Sequence, residues 1–321
     1  MPRHAGAAVP SSRAQPDGGM QLGGRVLAIH GVAPEVDPRR FAFRNLSDAD
    51  SLRRFLLAAP PFVPLPEALA ARGNALTIDD ATRAAADAAL MAREHGHAVS
   101  LFVNPSQVSS GEPHYFLLLN VLLDRLDGQR CEFEGTMFET ATNAQRQVLR
   151  HNIKARFRSM TGERGRMDLV TALATRWRTG SLELPDHFRT LGIHDLIALR
   201  EAGVDVQNHG WSHVHHPILS PEESVREIRE GRAWLRRELG VDAAYFAVPF
   251  GDALPAPDAA AACETWFTAT EQMAPGRLDQ NVFNREELHL HMPATSSRAL
   301  RPPPHRFGSG WIARIVGLLR T

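Results

Sequence analysis

Short strand-like runs recur along this chain, and helical patterns separate most of them. They occupy residues 25–30, 74–78, 98–103, 204–207, 244–248, 265–269 and 287–291. A short apolar run bounded by turn residues reads as a strand buried on both faces. Helical patterns at 48–59, 82–95 and 191–202 fill three of the gaps. Pro60-Pro61 stops the first of these, and Gly96 and Gly203 end the other two. A further helix opens at Ser220-Pro221-Glu222-Glu223, with a capping serine, a first-turn proline and a capping-box glutamate. Its Val225, Ile228, Leu235 and Leu239 share one face, and Gly240 ends it. Strands alternating with helices predict a parallel α/β fold.

The rhythm breaks at residues 107–185. Tyr115-Phe116-Leu117-Leu118-Leu119 starts a helical stretch, and the segment from Arg146 to Arg158 is basic and helical. This region reads as an all-helical insertion capping the active site. Its basic face reads as a solvated surface ahead of a phosphate site. Residues 1–24 are rich in Pro, Gly, Ser and Ala and read as a disordered leader. They contain no apolar signal region, so the expected location is cytoplasmic. One domain is expected over 25–300, followed by a tail at 301–321. Within that tail 311–319 reads as a short amphipathic helix that packs on the domain, with membrane contact as the lesser alternative.

Charge and cysteine content remove several functions. The 36 Lys+Arg balance 36 Asp+Glu, whereas a general nucleic-acid binder carries a basic surplus. No apolar run reaches the ~18 residues of a membrane-spanning helix. Cys131 and Cys263 alone supply neither a disulfide framework nor a thiolate zinc site. The oligomeric state leaves no trace in the sequence.

Four groups of residues carry chemistry. Thr77-Ile78-Asp79-Asp80 places two carboxylates at the end of an apolar strand. Adjacent anions need a cation or a shared proton. The plain alternative is that Asp80 caps the next helix and Asp79 is solvated. His209-Gly210-Trp211-Ser212-His213, with His215 and His216 close behind, follows another strand. Two imidazoles and a carboxylate form a metal site with open positions for water and substrate. The plain alternative is a loop of surface or backbone-bonded histidines. Phe246-Ala247-Val248-Pro249-Phe250-Gly251 runs a strand into a turn that is either an aromatic wall for a sugar ring or an ordinary turn with a buried aromatic. Leu288-His289-Leu290-His291 puts two histidines on one face of a strand: one is a candidate general acid if that face is interior, and both are surface residues if it points outward; Arg285 upstream is placed to orient a carboxylate or a substrate oxygen. The zincin pattern is absent, as are the nucleophile elbow and phosphate-loop motifs.

Taken in order, these segments resemble the polysaccharide deacetylase family (NodB homology domain, carbohydrate esterase family four). Leu76-Thr77-Ile78-Asp79-Asp80 is similar to its first motif and His209-Gly210-Trp211-Ser212-His213 to its second, with two histidines four apart. Phe246-Ala247-Val248-Pro249-Phe250-Gly251 is similar to its third, and Leu288-His289-Leu290-His291 to its Leu-x-Leu-His element. The resemblance implies a distorted (β/α)-barrel and metal-dependent N-deacetylation of an amino sugar. It makes Asp80, His209 and His213 the metal ligands, Asp79 the general base and His291 the general acid, with His289 as rival. Trp211, Pro249, Phe250 and Arg285 are the expected substrate contacts. The implied cofactor is one divalent ion, zinc first, with cobalt, nickel or manganese as alternatives. The implied partner is an acetamido sugar: a glycan precursor, a sugar conjugate or a glycosylated natural product. Three positions depart from the pattern: Ala81 for Gly, Gly210 for Ser or Thr, and Ala247 for an arginine that orients the base. Two other functions stay open, a catalytically impaired glycan binder on the same fold and an amidohydrolase acting on a non-sugar amide.

Overall fold

The structure, a computed structural model, describes residues 24–290 except 38 and 127. The leader, the tail helix at 311–319 and His291 lie outside the described residues. A nine-stranded sheet organises the chain. In order across the sheet its strands are Gly276–Asp279, Val282–Asn284, Thr265–Thr268, Tyr245–Ala247, Asp205–Asn208, Val99–Val103, Ala75–Asp79, Val26–Ile29 and Glu286–Glu287. All neighbours pair in parallel except Gly276–Asp279, which runs antiparallel to Val282–Asn284. The central strands Val26–Ile29, Ala75–Asp79 and Val99–Val103 are buried at every position, as parallel strands covered on both faces require.

The segment 282–287 touches both ends of this sheet. Val282–Asn284 pairs with Thr265–Thr268, and Glu286–Glu287 pairs with Val26–Ile29. The sheet is therefore curled far enough for one segment to reach both ends, as in a distorted barrel, and Arg285 sits at the crossover. The expected strand at 287–291 is shorter than its apolar alternation suggested and ends at Glu287. Beyond that the Leu288 N–H still bonds the Ala28 carbonyl.

The helix signals place the elements as expected. Arg83–Glu94 starts at Thr82, whose hydroxyl accepts from the Ala85 N–H. Pro221–Leu239 carries the full capping box at Ser220 and Glu223 and ends on Gly240 at φ +66°. The main core joins these helices to the sheet through Leu76, Ile78, Leu101, Val206, Leu235 and the alanines of Arg83–Glu94.

The insertion departs from expectation. It contains the helices Pro105–Ser110, Tyr115–Asp124, Asn143–Arg158 and Glu163–Arg176, and also an antiparallel hairpin of Arg130–Phe133 with Thr136–Glu139. Glu134 and Gly135 turn that hairpin with φ +47° and +78°, the left-handed pair of a tight two-residue turn. Cys131 and Phe133 alternate inward from it. The insertion has its own core, in which Tyr115, Leu119, Leu149, Ile153, Phe157 and Val170 pack together.

Candidate functional site

The site gathers at the carboxyl ends of parallel strands, where α/β sheets place their ligands. Asp79 ends the strand Ala75–Asp79. Asn104 follows the strand Val99–Val103, and His209 follows Asp205–Asn208. The Asn104 side-chain amide donates to the carbonyls of His209 at 2.6 Å and Gly210 at 3.2 Å. It thereby ties the histidine loop to the neighbouring strand. Glu227 accepts from the Ser212 N–H and hydroxyl, both at 2.9 Å, and anchors the loop's far side.

Asp80 does not cap the following helix, because Thr82 does. Its backbone is left-handed, with φ +65°, a strained setting for a residue other than glycine. That strain turns the carboxylate inward, and the carboxylate is buried. The positive φ falls on Asp80 rather than Ala81, so Ala81 needs no glycine and its methyl joins the core. Gly210 has φ +81°, which suits glycine, and the nearest atom to an added Cβ is 3.7 Å away.

Asp80 Oδ1 lies 3.7 Å from His209 Nε2 and 3.5 Å from His213 Nε2. One donor atom from each of the three buried residues falls within 4.8 Å of the others. Asp80 Oδ1 is buried with no hydrogen-bond partner, a costly state that a cation relieves. His209 Nδ1 is 2.7 Å from the Ala247 carbonyl. A carbonyl only accepts, so Nδ1 carries the proton and Nε2 offers its lone pair toward Asp80. Burial, with the nearby His209, His114 and Arg166, holds the His213 imidazole well below its usual pKa, so it stays neutral as a ligand must. The donor set, its burial and its geometry fit a divalent metal ion.

The insertion braces the second histidine. His213 also has positive φ, +47°. Its carbonyl accepts from Arg166 Nη1 at 3.1 Å and from the Tyr115 hydroxyl at 3.4 Å. Arg166 is fully buried and also donates to the Phe157 and Met160 carbonyls. The insertion is thus part of the site, since two of its helices brace the strained His213.

Asp79 is buried and ion-paired. Arg285 grips it with a two-pronged fork, Nη1 to Oδ1 at 2.7 Å and Nη2 to Oδ2 at 2.6 Å. Arg285 also donates to Thr77 Oγ1 at 3.1 Å. Burial pushes the Asp79 carboxyl up, but the Arg285 charge and hydrogen bonds, with His209, more than offset it and bring the pKa down to about 2. Arg285 thus orients the carboxylate from the crossover segment, and Ala247 leaves no gap in that role.

The other expected residues are placed as follows. The Phe250 ring lies 5.3 Å from the His213 ring, on a backbone with φ +68°. Pro249 is buried beside the Gly210 loop. Trp211 is half-buried and packs against the main core. His215 pairs with Asp252 at 3.1 Å, and His216 is buried against Ser224, Phe246 and Trp266, so neither joins the three ligands. His289 is exposed, 3.6 Å from Glu287. Asn104, Tyr115, Arg166 and His114 had not been singled out. His114 is fully buried, its ring 5.9 Å from His213 and neither ring nitrogen partnered. An Asn-Pro at a strand end was a readable sign for Asn104; nothing local marks the other three.

The family model for polysaccharide deacetylases matches residues 69–263, more than half of the chain. The structure is similar to that of a Streptococcus pyogenes deacetylase, PplD, solved with acetate, at 12% identity and a TM-score of 0.51, covering 84% of this chain and 93% of that one. It is also similar to IcaB from Ammonifex degensii, at 18% identity and a TM-score of 0.44, covering 83% and 91%. A Bacillus cereus polysaccharide deacetylase matches at 10% identity and a TM-score of 0.48, and the match covers 83% of this chain but 64% of that one. No curated protein matches the chain. At 12% identity the PplD structure speaks for the fold alone, and the family match spans both the acid pair and the histidine loop. The chain belongs to the polysaccharide deacetylase family.

Proposed function

We propose that this protein removes the N-acetyl group from an amino sugar, using one divalent ion, zinc first, held by Asp80, His209 and His213. The observation that carries the reading is the buried three-ligand cradle beside an ionised, arginine-clamped Asp79. An ion in that cradle supplies Lewis acidity toward an acetamide carbonyl and makes water a stronger acid. Asp79 accepts the proton of the attacking water, and the Arg285 fork fixes which way its free lone pairs point. His209 donates through Nδ1 to Ala247, so its Nε2 stays turned to the cradle throughout. Phe250 and Pro249 form the wall on which the sugar ring rests, with Trp211 behind the loop. His291 delivers a proton to the leaving amine, and His289 is the rival for that role. Among the described residues no helix is long and apolar enough to cross a membrane.

Metal analysis together with an acetate-release assay tests this reading. Asp80→Ala and His213→Ala are expected to lose metal and activity together. Asp79→Asn is expected to keep the metal and lose about 10²–10⁴-fold in rate. Sugar binding without acetate release in metal-loaded protein would favour the non-catalytic glycan binder instead.

A further inference from the structure

The basic face of the insertion is not a solvated surface. Arg150, Lys154 and Arg158 recur every fourth residue on the helix Asn143–Arg158 and so share one side. Arg150 is buried and Lys154 half-buried. Arg158 pairs with Asp252 at 2.6 Å, and Asp252 also holds His215. Lys154, Arg150 and Arg44 pair with no carboxylate among the described residues. Arg150 donates to the neutral Asn120 and Arg44 to the neutral Gln147. Burial and the charges of Arg150, Arg158 and Arg44 bring the Lys154 ammonium down to about 8. Arg44 is exposed, but Arg150 is buried and Lys154 half-buried, and the one carboxylate acting on Lys154, Asp252, is already paired with Arg158 and His215; like charges gathered with so little counter-charge are unfavourable. Their natural complement is a compact anion, for which a lysine point charge and arginine forks are the usual binders.

The cluster adjoins the cradle through one ring. Lys154 Nζ lies 5.8 Å from the centre of the Phe250 ring, and that ring lies 5.3 Å from His213. On its outer side Arg44 lines a cavity of about 290 Å³ together with Arg39, Arg40 and Gln147. Arg39 and Arg40 are already engaged by Asp37 and Asp124. We propose that Arg44, Arg150 and Lys154 bind a phosphoryl or pyrophosphoryl group attached to the acetamido sugar whose ring lies on Phe250, so that the substrate is a phosphate-bearing acetamido sugar. This rests on the deacetylase reading above.

The test separates the two readings. Inorganic pyrophosphate is titrated calorimetrically into Asp80→Ala protein, in which the cradle is broken. It is expected to bind, and Lys154→Met in that background to weaken it at least tenfold, with Arg44→Gln weakening it several-fold. Lys154→Met alone is expected to raise the melting temperature, because it relieves like-charge repulsion; a purely structural lysine would lower it. Intact metal-loaded enzyme is expected to release acetate from N-acetylglucosamine 1-phosphate at least tenfold faster than from the neutral methyl glycoside, and Lys154→Met to erase that preference. Displacement of pyrophosphate by a nucleoside diphosphate or by a short isoprenyl diphosphate supports the site, and the tighter competitor identifies the source. Pyrophosphate binding without acetate release from either sugar leaves the anion site standing and defeats the deacetylase reading. Absent pyrophosphate binding, or binding unchanged in Lys154→Met, overturns the proposal.

Discussion

Arg285 and Asp79 lie 206 residues apart and meet in a buried, two-pronged ion pair with both contacts under 2.8 Å. The crossover of segment 282–287 between the two ends of the sheet makes this possible, because it turns Arg285 inward over the end of the Asp79 strand. Removing one partner of such a pair leaves the other charge buried alone. Arg285→Gln is expected to cost about 3–5 kcal/mol in urea unfolding at pH 7.

The same pair has a pH signature. With its folded pKa depressed to about 2, Asp79 contributes stability that is present above its unfolded value and lost as pH falls toward 2. In Arg285→Gln burial acts without the offsetting charge, so the folded pKa rises and the sign reverses. The variant's deficit against wild type should then shrink on going from pH 7 to pH 4.5. Unfolding curves at both pH values check this; an equal deficit at both would contradict the electrostatic role.

Arg166 acts on the metal through His213 rather than as a ligand. Its bond to the His213 carbonyl holds a backbone at φ +47°. Arg166→Met should leave three ligands in place yet lower zinc affinity about 10–100-fold, the size of effect seen for outer-shell partners. Competition against a chromogenic chelator measures this. Affinity equal to wild type in a folded variant would show that the ligand loop holds itself.

Glu163 sits at the start of the helix Glu163–Arg176 and accepts from the Ser106 hydroxyl at 3.0 Å. Burial pushes its carboxyl up to about 7, against the pull of that hydrogen bond and of Arg166. The folded pKa is raised, so its contribution is fully present below the unfolded value near 4.5 and is lost as pH rises through 7. Wild-type stability should fall by roughly 1–3 kcal/mol from this group between pH 5 and pH 8. Glu163→Gln should flatten that slope, as read from melting temperatures across the range.

Much of this was legible in the sequence because it rests on local signals. The capping box at Ser220, the glycine stops and the buried apolar runs fix the helices and strands within a few residues. Asp79, Asp80, His209 and His213 stand out as a set, because an acid pair and a histidine pair both fall at strand ends; alone, the acid pair reads as a helix cap. What stayed hidden depends on contacts distant in the chain. Arg166 and Tyr115 reach His213 only because the insertion folds over the strand ends. The Arg130–Phe133 hairpin was missed because four-residue strands inside a helical stretch carry little periodic signal. Lys154 looked solvated because a basic helix usually is, and only packing shows its half-buried, unpaired state.

Zinc binding to the intact chain, measured by calorimetry with elemental analysis, tests the central claim most directly. The account predicts one ion per chain, a rise in melting temperature on loading, and loss of both in Asp80→Ala, His209→Ala and His213→Ala. Zinc bound undiminished by those three variants, or no zinc bound by the wild-type protein, would contradict it.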